Sequence, residues 1–193
     1  MLDKIKSYES NIMELKKYGA ILSKNEIKEL TLSQKDRGPL IEEMIDQKIQ
    51  IQPNGVDLSV KKIERFIGPG KTDFDNKKRE ISNTKEIEFD GDEFLFLESG
   101  AYKITFNEVV NLPLDLIAIA APRSTLLRCG VTVETAIWDA GYSGRGQSLL
   151  IVMNKTGYFI KKNARVIQLM FIRLSGENTI SEGYNGKYQM ENI

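Results

Sequence analysis

The sequence predicts a mainly β protein, a distorted β-barrel or jelly roll with helices at its N-terminus. From residue 50 onward, short stretches rich in β-branched residues alternate with turn signals, as in "GVTVETAIW" and "RVIQLMFIRL". Helical spacing of apolar residues is confined to the first fifty residues. A chain of 193 residues suits one domain that buries a substantial core.

The N-terminal region is predicted to contain three helical segments. The first ends at Gly19 and has apolar residues at helical spacing: Ile5, Tyr8, Ile12 and Leu15. The stretch "SKNE" at residues 23–26 has the spacing of a capping box before a short helix. Pro39 is suited to open a third segment with four apolar residues on one side: Leu40, Ile41, Met44 and Ile45.

The chain is therefore divided into a helical segment (residues 1–48), a β-barrel (49–180) and a C-terminal tail (181–193). Within the barrel, residues 68–92 are charged and rich in turn formers, so they are predicted to be a loop with at most one edge strand. The tail, "EGYNGKYQMENI", shows neither helical nor strand periodicity.

Composition excludes several classes of function. The 27 acidic and 27 basic residues balance, so no global field attracts nucleic acid, and any phosphate ligand must be held by local groups. The chain has no histidine, which removes histidine-based triads and most zinc sites. A single cysteine, Cys129, is typical of a reducing cytoplasm. No signal peptide or apolar membrane span is predicted, so we expect a cytoplasmic protein.

A first group of candidate residues lies in "PRSTLLRCG". Arg123 presents a planar guanidinium to phosphate oxygens, and Ser124 offers a hydroxyl donor. If the stretch forms a helical turn, Arg128 lies on the same side as Ser124. The alternative is an ordinary turn with solvated arginines.

A second group lies in "WDAGYSG". With no histidine in the chain, Asp139 is the natural candidate for a base that positions a water molecule. Tyr142 offers a flat face to a sugar or a base. The alternative is a turn aspartate beside a core tyrosine.

Other candidates are more scattered. Asp57 follows a turn at the start of a strand. Arg165 and Gln168 are three residues apart in an apolar strand, so they are expected to face opposite ways. In the tail, Lys187 and Gln189 are polar candidates.

The order of these motifs resembles the trimeric dUTPase and dCTP deaminase superfamily. The motifs are "QPNGVDL", "PRSTLLRCG", "WDAGYSG", "ARVIQLMF" and "YNGKYQ", from about residue 50 to the end. More loosely, "GAILSKNEIKEL" resembles the N-terminal helix of the deaminases. The resemblance implies a homotrimer with active sites at subunit contacts, and a hairpin near residues 130–138 that contacts the pyrimidine.

The resemblance also implies residue roles. Arg123 and Ser124 would contact a triphosphate, and Arg128 matches a deaminase arginine. Tyr142 would pack on the deoxyribose, and Asp139 would hold the attacking water or the sugar 3′-hydroxyl. The role of Asp57 is inferred separately, from its place at the start of a strand: it would orient a ligand hydroxyl or a metal-bound water, and the alternative is ordinary turn chemistry. The remaining contacts implied are Gln168, Lys187 and Gln189.

The branch of the superfamily depends on one position. In the deaminases a glutamate ten residues after the motif aspartate shuttles a proton, and here that position is Leu149. No acid occurs between residues 140 and 153. The sequence therefore favours Mg²⁺-dependent hydrolysis of dUTP to dUMP and pyrophosphate, with the metal held by the substrate phosphates and water. A dCTP deaminase or bifunctional enzyme using Glu134 or another acid, and a non-catalytic nucleotide-binding protein, remain alternatives.

Overall fold

The computed structural model describes residues 19–33, 38–91, 94–175 and 183–193. Within these ranges the chain consists mostly of short antiparallel strands, with short helices beside them. In chain order the elements are β1 (Ala20–Ile21), α1 (Lys24–Leu32), β2 (Ile41–Glu42), α2 (Gln47–Gln50), β3 (Ile51–Gln52), β4 (Gly55–Phe66), β5 (Thr84–Glu86), β6 (Leu95–Leu97), β7 (Gly100–Phe106), β8 (Val109–Asn111), β9 (Leu116–Pro122), α3 (Ser124–Arg128), β10 (Val131–Glu134), β11 (Ser143–Gly144), β12 (Gln147–Val152), β13 (Tyr158–Ile160) and β14 (Arg165–Arg173).

The largest sheet in the described part of the chain has the strand order β1-β14-β4-β7-β12-β10. Strands β3 and β5 also pair with β4, and β9 pairs with β14. Smaller sheets join β11 to β8 and β2, and β13 to β6. This curled, antiparallel arrangement confirms the predicted mainly β fold of the dUTPase-like barrel type.

Burial along the strands shows where the core lies. Strand β12 alternates, with every second residue buried, which is typical of a strand with one face on the core. Strand β4 differs because its first six residues, 55–60, are all buried. This strand is covered on both faces, so a polar side chain at its start must find partners inside the protein.

The helical predictions had mixed outcomes. Helix α1 is confirmed, and its capping box joins Ser23 and Glu26 reciprocally. The helix predicted before Gly19 lies outside the described residues. The helix predicted from Pro39 is wrong, because Ile41 pairs with Val110 of β8 in a short edge strand. Pairing with the sheet buries this β-branched side chain, and that contact outweighs the weak helical pattern.

The loop prediction for residues 68–92 is close to the structure. The segment contains one short named strand, β5, which pairs with the outer part of β4. Elsewhere the predicted strands are interrupted. The stretch "EFLFLESGAYKITF" is divided into β6 and β7, and "GVTVETAIW" is a strand only as far as Glu134. Among the described residues, no helix is long and apolar enough to cross a membrane.

Candidate functional site

Asp57, Arg123, Arg165 and Gln168 meet at one point of the large sheet, and we call this group the Asp57 cluster. The Oδ2 atom of Asp57 lies 3.1 Å from Nε of Arg123 and 2.9 Å from Nη1 of Arg165. The Asp57 carboxylate is buried, whereas about a third of each arginine side chain is exposed. The cluster therefore turns its positive side outward and its negative side inward.

Burial and charge act in opposite directions on Asp57. Burial raises the pKa of this carboxyl, and the guanidinium groups of Arg123 and Arg165 lower it, with burial the larger effect. Two cations share one carboxylate, so the Asp57 cluster has a formal excess of positive charge when Asp57 is ionised. That excess suits a phosphate-bearing ligand.

The strand register explains why the cluster forms. Gln168 of β14 lies directly opposite Asp57 of β4 on one side and opposite Ala121 of β9 on the other. Residues that are directly opposite share a face, so Gln168 lies between the motifs that supply Asp57 and Arg123.

The expectation that Arg165 and Gln168 face opposite ways is wrong. The β4–β14 register shifts between Arg165 and Ile167, which marks a β-bulge. The bulge breaks the alternation of side chains, so Arg165 reaches the same carboxylate that lies opposite Gln168. A bulge is not visible in the alternation of apolar and polar letters.

A polar network supports the Asp57 cluster from inside, and little in the sequence pattern indicates it. The Gln50 side chain donates to the backbone oxygen of Asp57 at 2.9 Å and to the Glu108 carboxylate at 2.5 Å. Ser59 donates to the same carboxylate through its backbone N–H and its hydroxyl. Glu108 is fully buried, and burial raises the pKa of its carboxyl. The only available signal was an acid within the apolar stretch "FNEVV".

Ser124 and Arg128 occupy the two ends of helix α3. Both side chains are exposed, and their i, i+4 spacing places them on one side of the turn, as predicted. The helix follows β9 directly, so Ser124 is the next residue after Arg123 of the Asp57 cluster. Gly130, with φ of +71°, ends this segment in a conformation that favours glycine.

Asp139 and Tyr142 line a cavity of about 360 Å³, which we call the Tyr142 cavity. Asp139 is exposed, whereas Tyr142 is 6% exposed. The other described residues that contribute to its wall are Ile81, Ala136, Ile137, Trp138, Gly146, Gln147, Tyr184, Tyr188 and Glu191. Aromatic rings and carboxylates dominate this wall, and its described residues include neither lysine nor arginine.

Tyr142 is held by two residues of the tail. Its hydroxyl donates to Oε1 of Glu191 at 3.0 Å, and its ring contacts that of Tyr184 edge-on at 5.8 Å. Burial and the adjacent Glu191 carboxylate raise the pKa of Tyr142 far above its usual value. Burial also raises the pKa of Glu191, and the bond from Tyr142 partly offsets that rise. Glu191 is not among the residues predicted from the sequence.

The tail candidates behave differently from one another. The Gln189 side chain accepts from the Ser143 backbone N–H at 2.9 Å and donates to the Gly141 oxygen at 2.9 Å. It therefore binds the loop that contains Tyr142. Lys187 is exposed. A side chain at Gly141, where φ is +85°, would collide with the tail backbone, because its Cβ would lie 2.8 Å from Gly183 Cα.

The Asp57 cluster and the Tyr142 cavity are separated along strand β9. Trp138, the neighbour of Asp139, pairs with Ala118 through both backbone groups. Arg123 is five residues beyond Ala118, and an extended chain covers about 16 Å over that number of residues. The predicted site residues thus form two groups within one chain.

Leu149 lies in β12 directly opposite Glu134 of β10. Leu149 is partly buried, while Glu134 is exposed and accepts a hydrogen bond from the Thr132 hydroxyl at 3.1 Å. Glu134 is therefore one strand away from the position of Leu149, and its carboxylate is bonded to Thr132 of its own strand.

Metal binding by protein side chains alone has little support in the described part of the chain. No group of three or more Asp, Glu, Cys or His residues is close enough there to hold an ion. Mg²⁺ commonly keeps several waters and binds through substrate phosphates and one or two carboxylates. The described residues therefore fit an ion that substrate phosphates and water hold.

Comparison with known proteins assigns this arrangement to a family. The model of the family described as dCTP deaminase-like matches residues 21–174. The chain belongs to the dCTP deaminase-like family. This match confirms the resemblance seen in the order of the sequence motifs.

Two relatives that are about half identical to this chain carry the same name. A protein of Methanococcoides burtonii named "Probable deoxyuridine 5'-triphosphate nucleotidohydrolase" is 51% identical over 90% of this chain and 99% of its own length. A protein of Methanosarcina mazei with the same name is 50% identical over 90% of this chain and 98% of its own length.

Among solved structures, the 2'-deoxycytidine 5'-triphosphate deaminase of Agrobacterium tumefaciens matches with a TM-score of 0.59 and 23% identity. The match covers 81% of this chain and 48% of that protein, so this chain spans about half of the deaminase's length. At this identity the likeness concerns the fold.

Proposed function

We propose that this protein hydrolyses dUTP to dUMP and pyrophosphate. The observation that carries the proposal is the 51% identity, over nearly the full length of both chains, to a relative named as a dUTP nucleotidohydrolase. Leu149 supports it, because a leucine cannot shuttle the proton that deamination requires. We further propose that the reaction takes place in the cytoplasm.

Binding of the triphosphate would need groups from both regions. The Tyr142 cavity offers a ring and carboxylates but, among its described wall residues, no cation. The Asp57 cluster offers Arg123 and Arg165, and the adjoining helix α3 offers Ser124 and Arg128. A substrate with several negative charges would place its phosphates against these cations and its sugar against Tyr142.

Asp139 would perform the proton chemistry. Its carboxylate is exposed on the wall of the Tyr142 cavity, so a water molecule can reach it. In the proposed step, Asp139 accepts the proton of a water that attacks the α-phosphorus, and pyrophosphate leaves. The buried ring of Tyr142 would lie against the deoxyribose, where a 2′-hydroxyl would clash.

A magnesium ion would neutralise charge on the triphosphate when bound. The substrate phosphates and water would supply its ligands, so the Asp139 carboxylate would stay available as the base. Lys187 of the tail is exposed and would contact the phosphates. Gln189 would act mainly through the loop it binds, because both ends of its amide are already hydrogen-bonded there.

We propose that the working enzyme is a homotrimer in which the Asp57 cluster of one copy faces the Tyr142 cavity of another. The unequal chemistry of the two regions supports this: one has the cations, and the other has the candidate base and the aromatic ring. Exposed apolar side chains at Leu127 and Met153, on either side of Gly130, are suited to lie at a subunit contact.

Subunit complementation tests this arrangement. Asp139→Asn and Arg123→Ala are each expected to be inactive alone. If one site takes these residues from different copies, dissociating and reassembling an equal mixture should restore about a quarter of wild-type activity by random association. No recovery, with mixed oligomers demonstrated by two affinity tags, would place both residues of a site in one chain.

The enzymatic test is a parallel assay of the purified protein with Mg²⁺, offering dUTP and dCTP separately and scoring pyrophosphate and ammonia. We expect pyrophosphate from dUTP and no ammonia from dCTP. Binding of a non-hydrolysable dUTP analogue, with neither pyrophosphate nor ammonia formed from the two nucleotides, would instead indicate a non-catalytic nucleotide-binding protein.

Deamination of dCTP, alone or combined with hydrolysis, is the second candidate function, and the β10–β12 ladder is the observation that favours it. Glu134 lies directly opposite Leu149, so a carboxylate is one strand away from the position that carries the deaminase glutamate. Ammonia from dCTP that disappears in Glu134→Gln would establish this route. Ammonia that persists in that variant would exclude Glu134 as the shuttle.

A further inference from the structure

A second cavity, of about 340 Å³, lies between helix α1 and the segment formed by α2 and β3. It shares no lining residue with the Asp57 cluster or the Tyr142 cavity. The side chains that matter here are Lys24, Lys28, Thr31, Leu32, Lys48 and Ile51. The four contributed by α1 are spaced i, i+4, i+7 and i+8, which places them on one face of that helix.

Thr31 borders this cavity, but its hydroxyl is enclosed by protein. The residue is 5% exposed, and its Oγ1 atom has no hydrogen-bond partner. Burying an unpaired hydroxyl costs stability. The groups that a ligand in the cavity can reach are therefore the lysines.

The lysines around Thr31 are also without counterions. In the described part of the chain, Lys24, Lys28 and Lys48 form no ion pair, and the cavity wall contains no carboxylate. The acid nearest to Lys48 in sequence is Asp46, whose carboxylate accepts from the backbone N–H groups of Lys48 and Ile49 to cap α2.

The placement of Lys24 and Lys28 on α1 is unfavourable without an anion. They are spaced i, i+4, where like charges repel each other. Lys24 also lies in the first helical turn, where the helix dipole disfavours cations. An anion between them and Lys48 would reverse both effects.

We propose that this cavity binds a phosphate-class oxyanion, either free or as the phosphate group of a small molecule. The ammonium groups of Lys24, Lys28 and Lys48 would donate charge-assisted hydrogen bonds. Leu32 and Ile51 would contact the remainder of a larger ligand. The volume falls within the range of about 300–1,000 Å³ typical of small-molecule sites.

Calorimetric titration of the full-length protein tests the proposal with three probes: inorganic phosphate, pyrophosphate and dUMP. The nucleotide site is first saturated with a dUTP analogue carrying an imido bridge, so that the titration reports the second site. Lys28→Gln and Lys48→Gln should each weaken binding about tenfold, the typical effect of losing one charge-assisted hydrogen bond. Lys155→Gln is the matched control, because Lys155 is exposed and does not line the cavity.

The probes also distinguish the two sources of the oxyanion. Tighter binding of dUMP than of phosphate would indicate a phosphorylated small molecule, and equal binding would indicate the free anion. Binding of no probe, or binding that Lys28→Gln and Lys48→Gln leave unchanged, would overturn the proposal. The lysine variants assign the measured binding to this cavity, so the assignment holds even if the dUTP analogue fails to occupy the nucleotide site.

Discussion

In the Asp57 cluster, paired strands carry the members: Asp57 lies on β4, Arg165 and Gln168 lie on β14, and Arg123 directly follows β9. The Tyr142 cavity is completed instead by the tail, whose Glu191 and Tyr184 contact Tyr142. One region is thus part of the sheet, and the other depends on a segment that docks from the far end of the chain.

The two regions also differ in how their charges are balanced. The buried carboxylate of Asp57 is neutralised by arginines within the same chain, which leaves a net positive surface. Asp139 is exposed on the Tyr142 cavity, and no ion pair holds it in the described residues. A preformed cationic region binds phosphate without rearrangement, whereas an unpaired carboxylate remains available to a water molecule.

The largest effect is expected from Asp139→Asn in the Tyr142 cavity. Asparagine keeps the shape but cannot accept a proton from water, so kcat for dUTP should fall by about 10³-fold or more. Binding of a non-hydrolysable dUTP analogue should change little. Turnover within a few-fold of wild type would remove Asp139 from the mechanism.

Arg123→Gln in the Asp57 cluster should act on substrate binding and turnover together. It removes a phosphate contact and leaves Asp57 with Arg165 as its remaining cation, so we expect kcat/KM for dUTP to fall about 10²-fold. Arg123→Lys keeps the charge but not the planar fork, and should recover only part of the loss. Equal kcat/KM values for Arg123→Gln, Arg123→Lys and wild type in steady-state kinetics would contradict this role.

Asp57, Arg123, Arg165 and Gln168 were each candidates from the sequence, but their meeting in one cluster was not predicted. It depends on the register by which β14 pairs with both β4 and β9, and composition does not record register. The bulge at Arg165 was not predictable, because it inserts one residue without changing the apparent pattern.

The surroundings of Tyr142 could be predicted only in part. The motif identified Asp139 and Tyr142, but the contacts of Glu191 and Gln189 depend on how an aperiodic tail docks onto a distant loop. No local periodicity records such a contact. The strand at Ile41, where a helix was predicted, shows the same limit, since pairing with Val110 decides its conformation.

Tyr142→Ala should relax discrimination between dUTP and UTP. Loss of the buried ring removes the surface proposed to exclude a 2′-hydroxyl, so we expect the ratio of kcat/KM values to fall about tenfold. Tyr142→Phe is the control, because it keeps the ring and loses only the hydrogen bond to Glu191. Unchanged selectivity in Tyr142→Ala would mean that the sugar is recognised elsewhere.

Glu108→Gln, beneath the Asp57 cluster, should have the smallest effect on catalysis and a distinct effect on stability. Its fully buried carboxyl accepts hydrogen bonds from Gln50 and Ser59. Glutamine would turn an NH2 group, which only donates, toward these donors, whereas a protonated carboxyl has a single O–H that the Ser59 hydroxyl can accept. We expect the variant to lose about 1–3 kcal/mol of unfolding free energy at acidic pH, with kcat within a few-fold of wild type.

The pH dependence of that loss follows from the sign of the pKa shift of Glu108. Burial raises the pKa of the Glu108 carboxyl in the folded protein above the usual 4.5. Between these two pKa values the folded state therefore binds more protons than the unfolded state. The stabilising contribution of Glu108 is therefore fully present below the usual pKa and is lost as pH rises through the raised pKa. Asp57 and Glu191, whose pKa values burial also raises, are unchanged in the variant and cancel in the comparison. Urea unfolding of wild type and Glu108→Gln across this pH range should show that the difference in their unfolding free energies shrinks as pH rises. A difference that grows with pH would mean that the Ser59 and Gln50 donors hold Glu108 as a carboxylate.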